Sequence, residues 1–338
     1  MTQIRLNLED RSYDITVGKG ILSSADKYFK LDRRVFIVTD SNVPKEYAET
    51  VAGCCKEAKI YTVPEGEGSK SLATLESLLT EMMLFGMKRG DAAIAVGGGV
   101  VGDLTGFAAA VYMRGIDFYN VPTTLLSQVD SSIGGKTAVN LGGAKNTVGA
   151  FHQPKAVLID TDVLKTLPKR QISAGLAEAL KMSMTSDAEL FAFFENEEIS
   201  DSAYEHIITH ALMIKKKVVE IDEKETGLRK ILNFGHTLGH GIEAASGFNT
   251  LYHGECVALG MIPVCSQRVR ERLLPIFQKL DLPTEFSGEV DTALSFVSRD
   301  KKAAEGGIDI VLVEEIGSFK IEKMTAEDFS SLVKKNFK

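Results

Sequence analysis

Several features that would place the chain in a familiar class are missing from its 338 residues. No stretch approaches the roughly 20 consecutive apolar residues that a membrane-spanning helix needs, so we expect no membrane partner. Basic residues are not in excess, and a formal net charge of −7 argues against a nucleic-acid partner. Internal repeats and low-complexity segments are also missing. The composition therefore predicts an ordinary globular protein.

Cysteine is scarce, and its arrangement excludes two kinds of site. No CxxC pattern is present, which argues against a cysteine-ligated zinc site. Cys54 and Cys55 are adjacent in the chain, and adjacent cysteines form poor disulfides. Cys256 and Cys265 complete the set. We therefore expect reduced thiols and a cytoplasmic location.

The rhythm of apolar segments indicates an α/β N-terminal part. Short apolar runs of the kind that form buried parallel strands alternate with stretches of helical periodicity. The predicted strands cover residues 34–40, 58–63, 92–98, 118–122 and 156–160. Two hairpins are also predicted, at 3–18 and at 308–323. The sequence predicts an α/β domain with a mostly parallel sheet over residues 1–165, followed by a mainly α-helical domain over residues 166–338.

A glycine-rich segment, AVGGGVVGDLTG, follows the predicted strand at 92–98. Gly97, Gly99 and Gly102 match the GxGxxG pattern, in which glycines let a backbone approach a pyrophosphate at a helix N-terminus. The loop is not the first strand-to-helix turn, and Asp117 begins a strand where a ribose-binding acid would end one. Asp40, at the end of the first buried strand, is the better candidate for the ribose. The alternative is a plain tight turn.

Two other segments combine glycine with charge. PEGEGSK, residues 64–70, follows a strand end and offers Lys70 to a nucleotide, but by itself it is more typical of a solvated surface loop. Residues 112–153 are glycine-rich, and outside the predicted strand at 118–122 we expect irregular backbone there. That stretch carries Arg114, Asp130, Lys136 and Asn146, a mixture that suits phosphate binding. The alternative is a set of glycine turns with surface lysines.

Histidine spacing points to a metal site. His236 and His240 lie four residues apart in NFGHTLGH, so on a helix they share one face. Spacing alone nominates His236 and His240 together as metal ligands, with His253 in reserve. His206 and His210 have the same spacing, but they lie among charges without an acid partner placed to ligate a metal, which favours a helix-surface or core pair.

A carboxylate and a third histidine complete the candidate metal set. Glu178 lies on an otherwise apolar helix, and a buried acid needs a partner such as a metal or a cation. Lys181 follows three residues later on the same face, and His253 lies in YHGE. Two histidines and one carboxylate with an open position form a catalytic zinc site. Thr237 occupies the position of the catalytic glutamate in HExxH, which argues against a metalloprotease.

Six segments together resemble the successive signature blocks of the 3-dehydroquinate synthase family, in the same order and over nearly the whole chain. These segments are GGGVVGDLTGFAAAVYMRGI, VPTTLLSQVDSSIGGKTAVN, AKNTVGAFHQP, GLAEALKM, DEKETGLRKILNFGHTLGHGIE and YHGECVALGM. Each block is weak evidence by itself, whereas the ordered set is specific.

The resemblance implies a dinucleotide-binding domain joined to a helical metal-binding domain. The implied reaction converts 3-deoxy-D-arabino-heptulosonate 7-phosphate to 3-dehydroquinate and phosphate, in the shikimate pathway that leads to chorismate and aromatic amino acids. It proceeds by transient oxidation with NAD, β-elimination of phosphate, reduction and aldol cyclisation. The implied cofactors are NAD and a divalent metal, zinc or alternatively cobalt. A homodimer is also implied.

The resemblance also assigns residues by position. The metal ligands would be Glu178, His236 and His253, with His240 close to the substrate without ligating. The residues that handle the anionic substrate would be Arg114, Asp130, Lys136, Asn146, Lys181, Lys215, Arg229, Asn233, His240 and Lys302, with Lys301 as an alternative to Lys302. Glu243 would help to organise the site. The cofactor would contact Asp40, Asn42, Glu65, Glu67, Lys70, Gly98, Gly99, Val100, Val101, Gly102, Asp103, Thr123, Thr124, Lys136, Lys145, Val163, Leu164, Lys165 and Thr166.

Three other functions compete with this one. Another sugar-phosphate cyclase would perform the same chemistry on a different sugar phosphate. A metal-dependent polyol dehydrogenase would share the architecture and a glycine-rich loop, but it would consume NAD stoichiometrically. A catalytically silent nucleotide-binding module would not need the set of Glu178, His236 and His253.

Overall fold

The computed structural model describes residues 1–247, 250–301 and 307–337. The chain divides into two compact units, Met1–Leu167 and Pro168–Lys338. Among the described residues, no helix is both long and apolar enough to cross a membrane.

The first unit is built on a seven-stranded sheet with the strand order β1-β2-β9-β6-β5-β3-β4. Every neighbouring pair is parallel except β1 with β2, which form an antiparallel hairpin at one edge. The strands of this sheet are β1 (Thr2–Leu6), β2 (Tyr13–Gly18), β3 (Arg34–Asp40), β4 (Glu57–Val63), β5 (Ala92–Gly97), β6 (Asp117–Pro122) and β9 (Ala156–Asp160). The predicted α/β class and mostly parallel sheet are confirmed.

Apolar side chains on both faces explain why these strands read as continuous apolar runs. Along β3, Phe36 and Val38 pack into one buried cluster, whereas Val35 and Ile37 pack into the cluster on the opposite face. The helices of this unit are α1 (Lys45–Gly53), α2 (Leu72–Leu84) and α3 (Gly99–Val111). Residues of α2 and α3 belong to the first cluster and residues of α1 to the second. The sheet is therefore covered on both sides, as a parallel sheet requires.

The expectation of irregular backbone through residues 112–153 is wrong over its second half. Residues 136–151 form an antiparallel hairpin of β7 (Lys136–Leu141) and β8 (Ala144–Phe151). Gly142 and Gly143 make the two-residue turn with φ of 59° and 82°. Positive φ at both central positions is what a type I′ hairpin turn needs, and glycine adopts it without a steric penalty.

The second unit is mainly helical, as predicted. Its helices are α4 (Lys169–Ser186), α5 (Ala188–Asn196), α6 (Tyr204–Ile221), α7 (His236–Ala245), α8 (His253–Met261), α9 (Gln267–Lys279), α10 (Val290–Lys301) and α11 (Ala326–Asn336). The predicted hairpin near the C-terminus is present as β10 (Ile308–Leu312) and β11 (Lys320–Met324). Contacts between α4 and α8 and between α7 and α8 position the side chains discussed next.

Candidate active site

Most of the predicted cofactor-binding residues follow the carboxyl ends of parallel strands. Asp40 ends β3, the segment 65–70 follows β4, the glycine loop follows β5, Thr123 and Thr124 follow β6, and 163–166 follow β9. The carboxyl ends of parallel strands meet at one edge of a sheet, which is where open α/β folds bind ligands. Lys136 and Lys145 lie elsewhere, on the β7–β8 hairpin.

The glycine loop fits an anionic group at the N-terminus of α3. Gly98 is the residue before the first turn, and no side chain caps the helix. The backbone N–H groups of Gly99, Val100 and Val101 therefore face the N-terminal end, where the helix dipole favours an anion. A Cβ atom at Gly98 would lie 3.0 Å from Thr124 Cγ2, so a larger residue would fill the space beside the loop. This arrangement suits a pyrophosphate.

The segment PEGEGSK is more than a solvated loop, because the structure buries its last residue. Lys70 is 5% exposed, and its ammonium group donates to the carboxylate of Asp103 on α3 and to the side-chain oxygen of Asn146 on β8. Glu67 accepts a hydrogen bond of 2.8 Å from Asn140. The predicted nucleotide segments and the β7–β8 hairpin therefore form one polar network. This network could not be predicted from a local sequence pattern, because the partners of Lys70 lie 33 and 76 residues away in the chain.

Around the same edge, the side chain of Asp40 is already part of a turn. Its Oδ1 atom accepts from the backbone N–H groups of Asn42 at 2.8 Å and Val43 at 3.1 Å. Thr166 donates to the carbonyl of Val163 at 3.1 Å and lies 2.9 Å from the Tyr47 hydroxyl. These contacts fix the backbone at two strand ends.

Two predicted anion-binding residues have unusual backbone conformations. Arg114 has φ of 69° and Asn146 has φ of 56°. Asparagine tolerates the left-handed region, but for arginine the conformation costs energy that the surrounding structure must offset. Lys136, at the start of β7, is exposed, and Asp130 lies half-buried in the turn Ser127–Ser131. Strain at an exposed arginine is typical of functional positions.

In the second unit, Glu178 and Lys181 form a buried ion pair on α4. Lys181 Nζ lies 2.5 Å from Glu178 Oε2, and the two side chains are 2% and 1% exposed. Their three-residue spacing places them on one face of the helix. The other carboxylate oxygen, Glu178 Oε1, is buried and has no hydrogen-bond partner among the described residues. A buried carboxylate oxygen without a donor is costly unless a cation satisfies it.

Two histidines point their Nε2 atoms toward that oxygen. Glu178 Oε1 lies 3.8 Å from His236 Nε2 and 3.6 Å from His253 Nε2. Tetrahedral zinc with bonds of about 2.0–2.2 Å separates its ligand atoms by about 3.3–3.6 Å. Both histidine nitrogens therefore lie at nearly the distance from Glu178 Oε1 that a shared metal imposes.

The opposite nitrogens of these rings have partners that orient them. His236 Nδ1 lies 3.1 Å from the carbonyl oxygen of Phe234, and His253 Nδ1 lies 3.4 Å from Glu243 Oε2. A carbonyl or carboxylate on Nδ1 fixes the tautomer that leaves Nε2 as the donor to a metal. The orphaned carboxylate oxygen and the two oriented imidazoles fit a divalent metal.

Burial and charge act differently on the two rings. Burial lowers the pKa of His236 well below its ordinary value, and Lys181 and His253 act in the same direction, so this ring is neutral. Burial also acts to lower the pKa of His253, but the hydrogen bond to Glu243 and the carboxylates of Glu178 and Glu243 outweigh it, and the pKa is raised. The carboxylates thus create a field that favours a cation beside His253.

His240 lies in the same cluster. The ligand nitrogens of His236, His240 and His253 are all within 4.8 Å of one another. The His240 ring is 5.3 Å from that of His236 and 5.8 Å from that of His253, between centroids, and its side chain is exposed. The geometry therefore allows a set of three histidines as well as the predicted set of Glu178, His236 and His253.

Three of the predicted anion-handling cations are buried in the second unit. Lys181, Lys215 and Arg229 are 1%, 5% and 2% exposed. They come from α4, from α6 and from the turn Leu228–Asn233, three elements that pack on one another. Three cations on packed elements give this region a positive field that suits an anion. Asn233, in the same turn, is exposed and donates to Glu225 at 2.9 Å.

Asp222, for which the sequence predicts no role, shapes the loop that presents Arg229. Its carboxylate accepts from the N–H groups of Arg229 at 2.9 Å, Thr226 at 2.8 Å and Gly227 at 2.7 Å. The Nη1 atom of Arg229 donates to the carbonyl of Glu223. An acid seven residues before an arginine has no distinctive spacing, although DEKETG is typical of a carboxylate-closed loop.

We expect Asp222→Asn to weaken the folded state near neutral pH and to have a smaller effect in acid. The backbone hydrogen bond from Arg229 first, and those from Thr226 and Gly227, lower the pKa of Asp222 to about 2. A carboxyl whose pKa is lower in the folded state than the unfolded value of about 3.9 stabilises the fold above that value, and the contribution is lost as the pH falls toward 2. Urea unfolding of both proteins across this range measures the effect.

The exposed Asp201→Asn provides a charge-matched control for that experiment. The difference in unfolding free energy between wild type and Asp222→Asn should shrink between about pH 4 and pH 2. If this free-energy difference stays constant over the interval, the variant is destabilised by the lost hydrogen bonds and not by the lost carboxylate charge.

In the pair His206 and His210, His210 contacts an acid on a neighbouring element. His210 Nδ1 lies 2.9 Å from Asp187 Oδ2, and the same aspartate caps α5 through Leu190 N–H at 2.9 Å. His206 packs against Phe193 with a centroid distance of 4.5 Å. Capping and packing agree with the predicted structural pair. Lys302 and the side chain of Lys301 lie outside the described residues.

The chain matches two family models. Residues 60–174 match the model of the 3-dehydroquinate synthase N-terminal region, and residues 175–303 match that of the C-terminal region. A 3-dehydroquinate synthase from Thermoanaerobacter pseudethanolicus is 40% identical over 99% of this chain and 100% of its own length.

Solved structures of two related enzymes have the same fold. A 2-deoxy-scyllo-inosose synthase, crystallised with carbaglucose-6-phosphate, NAD+ and Co2+, is 25% identical with a TM-score of 0.87 and covers 99% of this chain and 100% of its own. A 2-epi-5-epi-valiolone synthase from Streptomyces hygroscopicus subsp. jinggangensis, with NAD+ and Zn2+ bound, is 27% identical with a TM-score of 0.86. This second alignment covers 97% of this chain and 98% of that enzyme.

Proposed function

Because the chain belongs to the 3-dehydroquinate synthase family, we propose that Glu178, His236 and His253 hold the divalent metal with which it performs the family's reaction. The observation that carries this assignment is Glu178 Oε1, which is buried without a hydrogen-bond partner among the described residues and faces two Nε2 atoms. Lys181 neutralises the other oxygen of the same carboxylate.

The chain is a lyase that converts 3-deoxy-D-arabino-heptulosonate 7-phosphate to 3-dehydroquinate and phosphate, in the route to chorismate and the aromatic amino acids. When bound, NAD would supply the hydride acceptor for an oxidation that is reversed within the same turnover. The divalent metal, zinc or cobalt, supplies a Lewis acid for the substrate's hydroxyl oxygens. The net reaction is redox-neutral, so no NADH should accumulate.

The protein's contribution is to align the substrate and to bind its anionic groups. A carboxylate and a phosphate need several donors fixed in advance, because preorganised donors stabilise the charge that develops as phosphate leaves. In the second unit we assign this role to Lys181, Lys215, Arg229 and Asn233, with His240 close to the substrate. The burial of the first three supports the assignment. In the first unit we assign it to Arg114, Lys136 and Asn146, with Asp130 as an organising residue. Lys302, or alternatively Lys301, from the C-terminal part of the chain completes the set.

We place NAD at the carboxyl edge of the parallel sheet. The uncapped N-terminus of α3 would bind its pyrophosphate, and Asp40 would contact a ribose. Lys70, held by Asp103 and Asn146, would connect the cofactor region to the β7–β8 hairpin. The other contacts would come from Asn42, Glu65, Glu67, the segment 98–103, Thr123, Thr124, Lys136, Lys145 and the segment 163–166.

A phosphate-release assay with the heptulosonate phosphate tests the function. We expect one phosphate per dehydroquinate, loss of activity with a chelator, and recovery when zinc is added. The near-ultraviolet absorbance of NADH, followed in the same cuvette, should stay flat. Steady accumulation of NADH would contradict the function and support a polyol dehydrogenase, whereas activity that is indifferent to the chelator would contradict the metal's role.

Two observations support 3-dehydroquinate synthase over other sugar-phosphate cyclases. They are the sequence identity to relatives and the set of residues assigned to anion binding. The 3-dehydroquinate synthase relative is 40% identical, whereas the 2-deoxy-scyllo-inosose synthase and the 2-epi-5-epi-valiolone synthase described above are 25% and 27% identical. Lys136, Asn146 and Arg229 together suit a substrate that carries a carboxylate in addition to phosphate. Sugar phosphates without a carboxylate are therefore the informative controls in the assay.

We also propose that the enzyme acts in the cytoplasm as a homodimer, without a nucleic-acid partner. The dimer follows from family resemblance, and the net charge of −7 argues against nucleic acid. Light scattering coupled to gel filtration would measure the mass in solution.

A further inference from the structure

One stripe of α4 contacts the first turn of α8. Arg170, Ala174 and Glu178 are spaced by four residues, so they lie on the same face of α4. The helix α8 begins at His253, and Gly254 and Glu255 follow. Each residue of the α4 stripe faces one residue of this turn: Glu178 faces His253, Ala174 faces Gly254, and Arg170 faces Glu255. The two helices therefore meet in a fixed register.

The central contact of the three is between backbones. A Cβ atom on Gly254 would lie 2.0 Å from the carbonyl oxygen of Ala174, so only glycine allows this approach. The contact sets the distance between α4 and α8, but a glycine against a carbonyl does not resist sliding or rotation of one helix over the other. Another interaction must therefore fix the register in which His253 lies opposite Glu178.

Arg170 supplies that interaction. Its Nε and Nη2 atoms bind Glu255 Oε1 at 2.6 Å and Oε2 at 2.7 Å, and Nη2 also donates to the carbonyl of Thr250 at 2.6 Å. The guanidinium carbon lies 4.5 Å from the centroid of the Tyr252 ring. A bidentate pair with a stacked aromatic ring fixes both position and angle.

Glu255 transmits this position to the start of α8. Its side chain is buried, and Oε2 accepts a hydrogen bond of 2.7 Å from the N–H of Tyr252, the residue immediately before His253. The same carboxylate thus caps the helix and binds Arg170. Residues on both sides of His253 are tied to the first turn of α4, two turns before Glu178 in the same helix.

We propose that Arg170 and Glu255 are positioning residues that hold His253 opposite Glu178, and that metal affinity depends on them. The inference rests on the proposed metal set. Residues that orient metal ligands typically contribute about 10- to 100-fold to metal affinity. A loss within that range is the expected result when the bidentate pair is broken.

Arg170→Lys and Arg170→Gln test the inference, and Arg272→Lys is the matched control. Arg272 binds Glu195 through Nε and Nη2 at 2.7 Å each and lies 4.9 Å from the centroid of Phe191. The two arginine side chains are similarly exposed, 49% and 43%. Arg272 joins α9 to α5, which carry no proposed metal ligand.

The measurements are the zinc dissociation constant of the full-length protein, by competition with a chromophoric chelator, and the Tm of the metal-free protein. Both Arg170 variants should bind zinc about 10- to 100-fold more weakly. Arg272→Lys should bind zinc with wild-type affinity. The Tm of its metal-free form should be similar to that of metal-free Arg170→Lys. Unchanged zinc affinity in the Arg170 variants would overturn the inference, and so would an equal loss in Arg272→Lys.

His253→Ala separates this inference from the proposed function. Loss of zinc in His253→Ala with wild-type affinity in Arg170→Lys would overturn the positioning role alone. Retention of zinc in His253→Ala would overturn the metal set itself, and the inference with it. Loss in both, with Arg272→Lys unaffected, is the result that supports the two together.

Discussion

Replacing His236 by alanine is expected to remove zinc from the protein, whereas His240→Ala should retain it. His236 Nε2 faces Glu178 Oε1 at 3.8 Å, and its Nδ1 is held by the Phe234 carbonyl at 3.1 Å. Burial lowers its pKa, which keeps the ring neutral and its lone pair available. Loss of an orienting partner costs about 10- to 100-fold in affinity, so loss of a ligand should cost more than about 100-fold.

The result is informative because the geometry alone allows another answer. The ligand nitrogens of all three histidines lie within 4.8 Å of one another, so a set of His236, His240 and His253 is sterically possible. Metal content after gel filtration and chelator competition distinguish the two sets. His210→Ala, from the other pair with four-residue spacing, is the control and should keep its zinc. Equal loss of zinc in His236→Ala and His240→Ala would favour the set of three histidines.

The parallel sheet could be predicted from the sequence because its signals are local. The strands predicted at 34–40 and 156–160 have those bounds in the structure, since a strand covered on both faces is apolar throughout. The β7–β8 hairpin was missed although Gly142-Gly143 is a recognised two-residue turn. Its strands mix apolar, polar and glycine residues, and Asn140, Lys70 and Asn146 contact one another only in the folded unit.

The residue types of the candidate site could be predicted from the sequence. Many of the contacts between those residues could not. Glu178 was identifiable because an acid on an apolar helix needs a partner, and the structure provides Lys181 on one oxygen. Spacing could not show which of His236 and His240 is the metal ligand, because residues four apart lie on the same face of a helix. Arg170 and Glu255, 85 residues apart, gave no signal because their pairing depends on how α4 packs on α8. Contacts of this kind follow from tertiary packing and have no local pattern.

Replacing Arg229 by alanine is expected to lower kcat/KM for the heptulosonate phosphate at least about 100-fold while the fold is kept. Arg229 is 2% exposed, and its position is fixed by Asp222, which accepts from its N–H, and by the Glu223 carbonyl, which accepts from Nη1. A donor held in place before the substrate arrives costs no reorganisation during the reaction, and removing one such donor typically costs about 100- to 1,000-fold.

Three measurements separate a lost anion contact from a damaged fold. Phosphate release gives kcat/KM, thermal unfolding gives stability, and metal analysis gives zinc content, and only the first should change strongly. Arg229→Lys should recover little of the kcat/KM lost in Arg229→Ala, because an ammonium group lacks the planar fork that binds a carboxylate or phosphate through two hydrogen bonds. Arg268→Ala, at an exposed position of α9, should turn over like wild type. Near-wild-type turnover in Arg229→Ala would remove this residue from the anion site, and the buried lysines would then have to supply the charge without it.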